Sequence, residues 1–102
     1  ASTISGNESL KGGGISIHKG SLDIYASTLS YNTANYGGAI YLDVEGDEAT
    51  ITNSTISKNT ASVYGGGIFH DEGVLTIANT TIAGNVAGLG GGGIFKHFAE
   101  AT

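Results

Sequence analysis

The carboxylates are the residues whose spacing best suits chemistry. Asp43-Val-Glu45-Gly-Asp47-Glu48 sets four acids in six positions, and Asp71-Glu72 follows at about the same phase one repeat later. Carboxylates on adjacent loops suit Ca²⁺, which takes about six to eight oxygen ligands. Asp43, Glu45, Asp47 and Asp71 are therefore the candidate metal ligands. Against them, the Asp-x-Asp-x-Asp-Gly spacing of a calcium loop is missing, and a solvated acidic loop explains the same residues. Glycoside hydrolysis needs two carboxyls roughly 5 to 10 Å apart across a groove. Stacked Asp43 and Asp71 meet that distance, yet no insertion builds a pocket around them. His18, His70 and His97 do not share one column, so they read as surface or turn histidines rather than a metal site. No nucleophile–base pair stands out. The expectation is a protein that is not an enzyme, with no cofactor beyond the weak calcium candidate.

These residues are carried on a repeat. Ala1-Ser-Thr-Ile-Ser-Gly-Asn7 returns as Ala26-Ser-Thr-Leu-Ser-Tyr-Asn32, Asn53-Ser-Thr-Ile-Ser-Lys-Asn59 and Asn79-Thr-Thr-Ile-Ala-Gly-Asn85. Each is followed by a glycine knot and an aliphatic: Gly12-Gly-Gly-Ile15, Gly37-Gly-Ala-Ile40, Gly65-Gly-Gly-Ile68, Gly91-Gly-Gly-Ile94. The units are 1–25, 26–52, 53–78 and 79–102, all within one domain, 1–102. A fixed period of this size marks a solenoid, in which each repeat contacts only its neighbours. Composition agrees. The chain has 18 Gly and no Pro, Cys, Met or Trp. Glycine does not recur every third residue, which excludes collagen. A net charge of −5 with only four lysines argues against nucleic acid. No apolar run is long enough to span a membrane.

Within a unit, Leu75-Thr-Ile77-Ala-Asn79 alternates as a half-buried strand should. A second short strand carries Ile4, Leu29, Ile56 or Ile82, and the slip between the two implies a bend at Asn79 and its equivalents. A third strand starts at Ile15, Ile40, Ile68 or Ile94, launched by the glycines. Three short strands per turn and no helical period predict an all-β, right-handed parallel β-helix. It would have about four coils of 24–27 residues. Ile15, Ile40, Ile68 and Ile94 form one inward column. Asn7, Asn32, Asn59 and Asn85 form an amide ladder at one bend, and Asn53 and Asn79 stack at another. Tyr41, Phe69 and Phe95 point outward as an aromatic ladder that begins at Ser16. Such a ladder either packs on itself between coils or stacks on sugar rings. A Thr-x-Ser array at residues 3, 28 and 55 resembles an ice-binding face, but its second column is Ser and then Ala. Of the glycosylation sequons at Asn7, Asn53 and Asn79, the last two are expected to face the interior.

The recurring Ile4-x-x-Asn7, Leu29-x-x-Asn32, Ile56-x-x-Asn59 and Ile82-x-x-Asn85, each followed by Gly-Gly-Gly/Ala-Ile, resembles the bacterial polymorphic outer-membrane-protein repeat. That family usually has Phe where this chain has Ile or Leu. The longer pattern Asn-Ser-Thr-Ile-Ser-x-Asn-Thr-Ala is similar to pectin-lyase-like β-helix repeats of secreted bacterial surface proteins. The resemblance implies an extracellular or cell-surface setting. It is silent on activity, since adhesins, filaments, lyases and glycosidases share the coil. Lyases of this fold add a Lys or Arg beside their metal. This chain has no Arg, and Lys19 and Lys96 lie in other coils than the acidic loop.

Nothing in the repeat caps either end, and an open coil edge is a template for strand pairing. Glu100-Ala-Thr102 matches Glu48-Ala-Thr50, so joined to Ala1-Ser-Thr it continues the pattern with a two-residue deletion. Two arrangements fit. One is a subunit of a head-to-tail fibre, self-assembling through Ile4 and Ser5 at one edge and Ile94 and Phe95 at the other. The other is an excerpt of a longer solenoid, such as a large secreted adhesin that binds glycans or a host. A carbohydrate-active enzyme is the distant alternative.

Overall fold

The computed structural model describes residues 2–17, 21–96 and 100–101, and their side chains except those of 44–47, 72–73 and 100–101. Strands are the only regular elements among the described residues. In chain order they are β1 (Thr3–Ser5), β2 (Ile15–Ile17), β3 (Leu22–Tyr25), β4 (Thr28–Ser30), β5 (Thr33–Tyr36), β6 (Ile40–Thr52) and β7 (Thr55–Ser57). Then come β8 (Thr60–Tyr64), β9 (Ile68–Ala78), β10 (Thr81–Ala83), β11 (Val86–Ala87), β12 (Ile94–Lys96) and β13 (Glu100–Ala101). Every pairing is parallel and joins equivalent positions of neighbouring repeats. Thr3, Thr28, Thr55 and Thr81 stand in one line, as do Ile15, Ile40, Ile68 and Ile94.

Each repeat is thus one rung crossing three sheets: β1-β4-β7-β10, then β11-β8-β5, then a sheet built on β6 and β9. The chain is a parallel β-solenoid of about three turns rather than four full coils. The difference is small and lies in the first unit. It enters the second sheet only through isolated bridges, from Glu8 to Thr33 and from Lys11 to Tyr36. The shortest dimension is 19 Å, consistent with four rungs at about 4.8 Å spacing.

Alternation decides the core. Ile or Leu at the centre of each short first-sheet strand points in, while Thr and Ser, or Thr and Ala in β10, flank it outward. Leu29, Ile40, Ile51, Ile56, Ile68 and Leu75 are fully buried, and Ile4, Ile15, Ile82 and Ile94 of the outer rungs pack against them half-buried. The corner before β4, β7 and β10 is left-handed, with φ of 51° at Ala26, 49° at Asn53 and 50° at Asn79.

That backbone overturns one expectation. Asn53 and Asn79 are exposed and do not form an interior stack. The left-handed residue turns its side chain out, and the next residue takes the inner place. The ladder at this bend is built of hydroxyls: Ser27 N donates to Ser54 Oγ at 3.1 Å, and Ser54 N to Thr80 Oγ1 at 3.3 Å. The sequons at Asn53 and Asn79 therefore face solvent.

Candidate functional site

The polar interior is concentrated at the bend after the first sheet. Asn7 Nδ2 donates to Asn32 Oδ1 at 3.1 Å, Asn32 Nδ2 to Asn59 Oδ1 at 3.0 Å, and Asn59 Nδ2 to Asn85 Oδ1 at 2.9 Å. Each acceptor also receives the backbone N–H of the asparagine in the rung before it. The amides reach backward as well. Asn32, Asn59 and Asn85 donate to the carbonyls of Ile4, Leu29 and Ile56. Asn32 and Asn59 are fully buried, so these bonds satisfy groups that would otherwise be costly to hide. The ladder has a direction. Between asparagines, each amide donates to the side-chain oxygen of the next rung, and each oxygen receives from the rung before.

The glycine knot repeats that direction in the backbone. Gly12, Gly13, Gly14 and Ile15 donate to carbonyls of the second rung, and Gly37, Gly38, Ala39 and Ile40 to carbonyls of the third. Gly65, Gly66, Gly67 and Ile68 donate to the fourth. The first glycine of each knot has φ between 66° and 70°, where a side chain is strained. The second glycine is needed for closeness. A Cβ on Gly66 would lie 2.4 Å from the carbonyl oxygen of Val86 and 2.5 Å from that of Gly92.

Outside the knot lies an aromatic cluster. Tyr41 stacks on Phe69 with centroids 5.1 Å apart, and Phe69 on Phe95 at 5.2 Å. Sequence reasoning missed two rings from the other side of the knot. Tyr36 packs edge-on to Phe69 at 5.3 Å, and Tyr64 stacks on Phe95 at 4.3 Å. Lys11 places its Nζ 5.2 Å from the centre of the Tyr41 ring. Tyr41 and Phe69 are in consequence only 6% and 8% exposed, while Tyr36, Tyr64 and Phe95 keep part of their surface in solvent. The signal was available. Tyr36 and Tyr64 end strands that the knot folds back beside Tyr41 and Phe69.

The acidic segment is part of β6 rather than a free loop. Asp43 pairs with Glu72, not Asp71, because the register shifts on both sides of Asp43. The side chains of Glu45, Asp47 and Glu72 lie outside the described residues. No group of three or more His, Cys, Asp or Glu close enough for a metal occurs among the described residues. Asp43 and Asp71 act on Tyr41. Burial first, then the charges of Asp71 and Asp43, then Tyr36, push its phenol above the usual value of 10.0. His70 is not a surface residue. It is fully buried in β9, opposite Leu42, where alternation demands an inward side chain. His18, His97 and Lys19 lie outside the described residues.

The edge residues separate by backbone direction. Ser2 O accepts Thr28 N, and Gly6 N donates to Ser30 O. Ile4, on the same phase, therefore faces β4, and Ser5 faces away. The knot pattern turns Ile94 N–H outward and leaves Phe95 facing β9. At the first rung the core opens into a cavity of about 430 Å³, walled by Ile4, Ile15, Leu22, Ile24 and Leu29 and also by Ser2, Asp23, Tyr25 and Ser27.

Comparison with known proteins finds the Chlamydia polymorphic membrane protein repeat at residues 26–43 and 53–71. Both matched segments are the same piece of the rung, from the left-handed corner through the ladder asparagine and the knot into β6 or β9. These two segments, 37 of the 102 residues, are similar to that repeat, and both lie on the parallel β-solenoid. No curated protein gives a significant match, and no solved structure does. No helix among the described residues is long and apolar enough to cross a membrane.

Proposed function

We propose that this chain, two segments of which are similar to the polymorphic membrane protein repeat, is an extracellular structural element of a bacterial surface, stacking end to end into a β-solenoid fibre. The role is mechanical rather than catalytic. The observation that carries the reading is the asparagine ladder, which runs unbroken through all four rungs from Asn7 to Asn85. The buried amides are spent on holding rung to rung, and the aromatic stripe is spent on packing. Open coil edges are completed by further coils, as the inner rungs complete each other. Electron microscopy of the purified chain is expected to show filaments of one uniform width. Compact single particles at high protein concentration would sink the fibre and favour a rigid segment of a larger adhesin.

A further inference from the structure

We infer that Tyr36 and Tyr64 are a site of oxidative cross-linking, joined ring to ring as a dityrosine that ties the second rung to the third. The co-reactant is hydrogen peroxide, acting through a one-electron oxidant of the haem peroxidase class. The site lies within one chain and does not depend on the fibre.

Composition decides which side chains such an oxidant meets. The chain has five tyrosines and no Cys, Met or Trp. The sulfur side chains that usually yield first to oxidation are missing, and the phenols stand in their place. Without cysteine no disulfide can join one rung to another. A bond between two phenol rings closes a loop of the same kind.

Register decides which phenols couple. Tyr36 and Tyr64 are Cα partners on the parallel strands β5 and β8, so their backbones stand about 4.8 Å apart. Their ring centroids are 6.4 Å apart, with planes tilted by 36°. The other ring contacts of the cluster are closer, at 4.3 to 5.3 Å. Both phenol rings keep part of their surface in solvent, where an oxidant reaches them and side chains reorient in about a nanosecond. Gly90, next in line after Tyr64, has no side chain to pin that ring. None of the other tyrosines has a tyrosine in line. Thr52 stands beside Tyr25, and Lys58 sets its Nζ over the Tyr31 ring. Tyr41 has Ser16 and Phe69 as its partners and lies flat on Phe69, with planes 4° apart.

The step balances. Each phenol gives one hydrogen atom to the oxidant, as a proton and an electron, and the unpaired spin spreads to the ring carbon beside the oxygen, Cε. A bond forms between Cε of Tyr36 and Cε of Tyr64. Each ring then moves its Cε hydrogen to the oxygen and regains aromaticity. Two tyrosines and one hydrogen peroxide become one dityrosine and two waters. The fold holds the pair side by side beforehand, so coupling within a chain outpaces coupling between dilute chains.

The test is to treat the dilute folded chain with a haem peroxidase and hydrogen peroxide. The expected product is a monomer lighter by two hydrogen atoms, with dityrosine fluorescence and with the Tyr36 and Tyr64 peptides joined after proteolysis. Its urea midpoint should rise, because the closed loop restricts the unfolded chain. Tyr36→Phe and Tyr64→Phe each remove a phenol and keep a packed ring. Each is expected to lose the intrachain product while the circular dichroism spectrum holds. The double variant Tyr25→Phe, Tyr31→Phe is expected to form it as the natural chain does. Dityrosine confined to Tyr25, Tyr31 or Tyr41, or found only between chains, would overturn the site. So would an intrachain product that survives Tyr64→Phe, or no dityrosine under conditions that couple free tyrosine.

Discussion

Asn59 has no exposed surface and uses both ends of its amide, receiving from Asn32 and donating toward Asn85, Leu29 O and Ser57 O. Removing it strands several buried groups at about 1–3 kcal/mol each. Asn59→Ala should therefore destabilise by roughly 3 kcal/mol or more, read as a lower urea midpoint. Asn53→Gly should leave the midpoint unchanged or slightly raised, because Asn53 is exposed and glycine suits its φ of 49°. Equal losses would mean the ladder is not what holds this bend. The two asparagines look alike in sequence, and only the backbone conformation at the corner separates them. His70 was legible in principle, since Ile68-Phe69-His70 aligns with Ile40-Tyr41-Leu42. Residue type argued for the surface and alternation for the core, and alternation won. Tyr41 gives a pH prediction. Its raised phenol means that the folded state holds the proton more tightly than the unfolded chain. The resulting stability is complete below pH 10.0 and is lost as pH rises through the higher folded value. Tyr41→Phe, which copies Phe69 and Phe95 of its own column, should shift alkaline unfolding to higher pH. An unchanged alkaline limb would show that the buried phenol does not set it.

The glycine knot shows what a short element can dictate. Its glycines were legible as a turn because they recur at one phase before an inward isoleucine. What spacing alone could not reveal is that the second glycine carries a clearance rather than only a torsion. Gly66→Ala would drive a methyl into the backbone of Val86 and Gly92, which cannot move without unseating the fourth rung. The expected loss is about 3 kcal/mol or more. Gly90→Ala is the control, since its nearest neighbour would be a Tyr64 ring carbon 3.9 Å away. It should change the thermal midpoint little, by about 0.5 kcal/mol at most. A tolerated Gly66→Ala would mean that the rungs at the knot are looser than the described contacts. The acidic segment marks where legibility ends. Asp43 to Glu48 breaks the alternation, and nothing in its spacing announces that β6 runs through it with two register shifts.

At the scale of the whole molecule, stability and assembly are the same question, because each rung is held by the rungs on either side. The outer rungs are the weak ones. Ile4, Ile15, Ile82 and Ile94 are half-buried where Leu29, Ile40, Ile56 and Ile68 are wholly buried. If a further copy covers each end, those side chains leave water on assembly, at roughly 25 cal/mol for each Å² of apolar surface. The thermal midpoint should then rise with protein concentration. Thr3→Pro isolates the junction from the fold. Thr28, Thr55 and Thr81, its equivalents, each donate their N–H backward, to Ser2, Ser27 and Ser54. Thr3 N–H accordingly points away from β4, and in the proposed fibre it would meet Thr80 O of a preceding copy. Proline at an edge strand whose N–H faces outward is tolerated within the sheet but removes that donor. The variant should keep the β-sheet circular dichroism spectrum and lose both filaments and the concentration dependence of the midpoint. Ser57→Ala, on the outer face of an inner rung, should lose neither. Filaments formed by Thr3→Pro as readily as by the natural chain would show that the first sheet does not run through the junction.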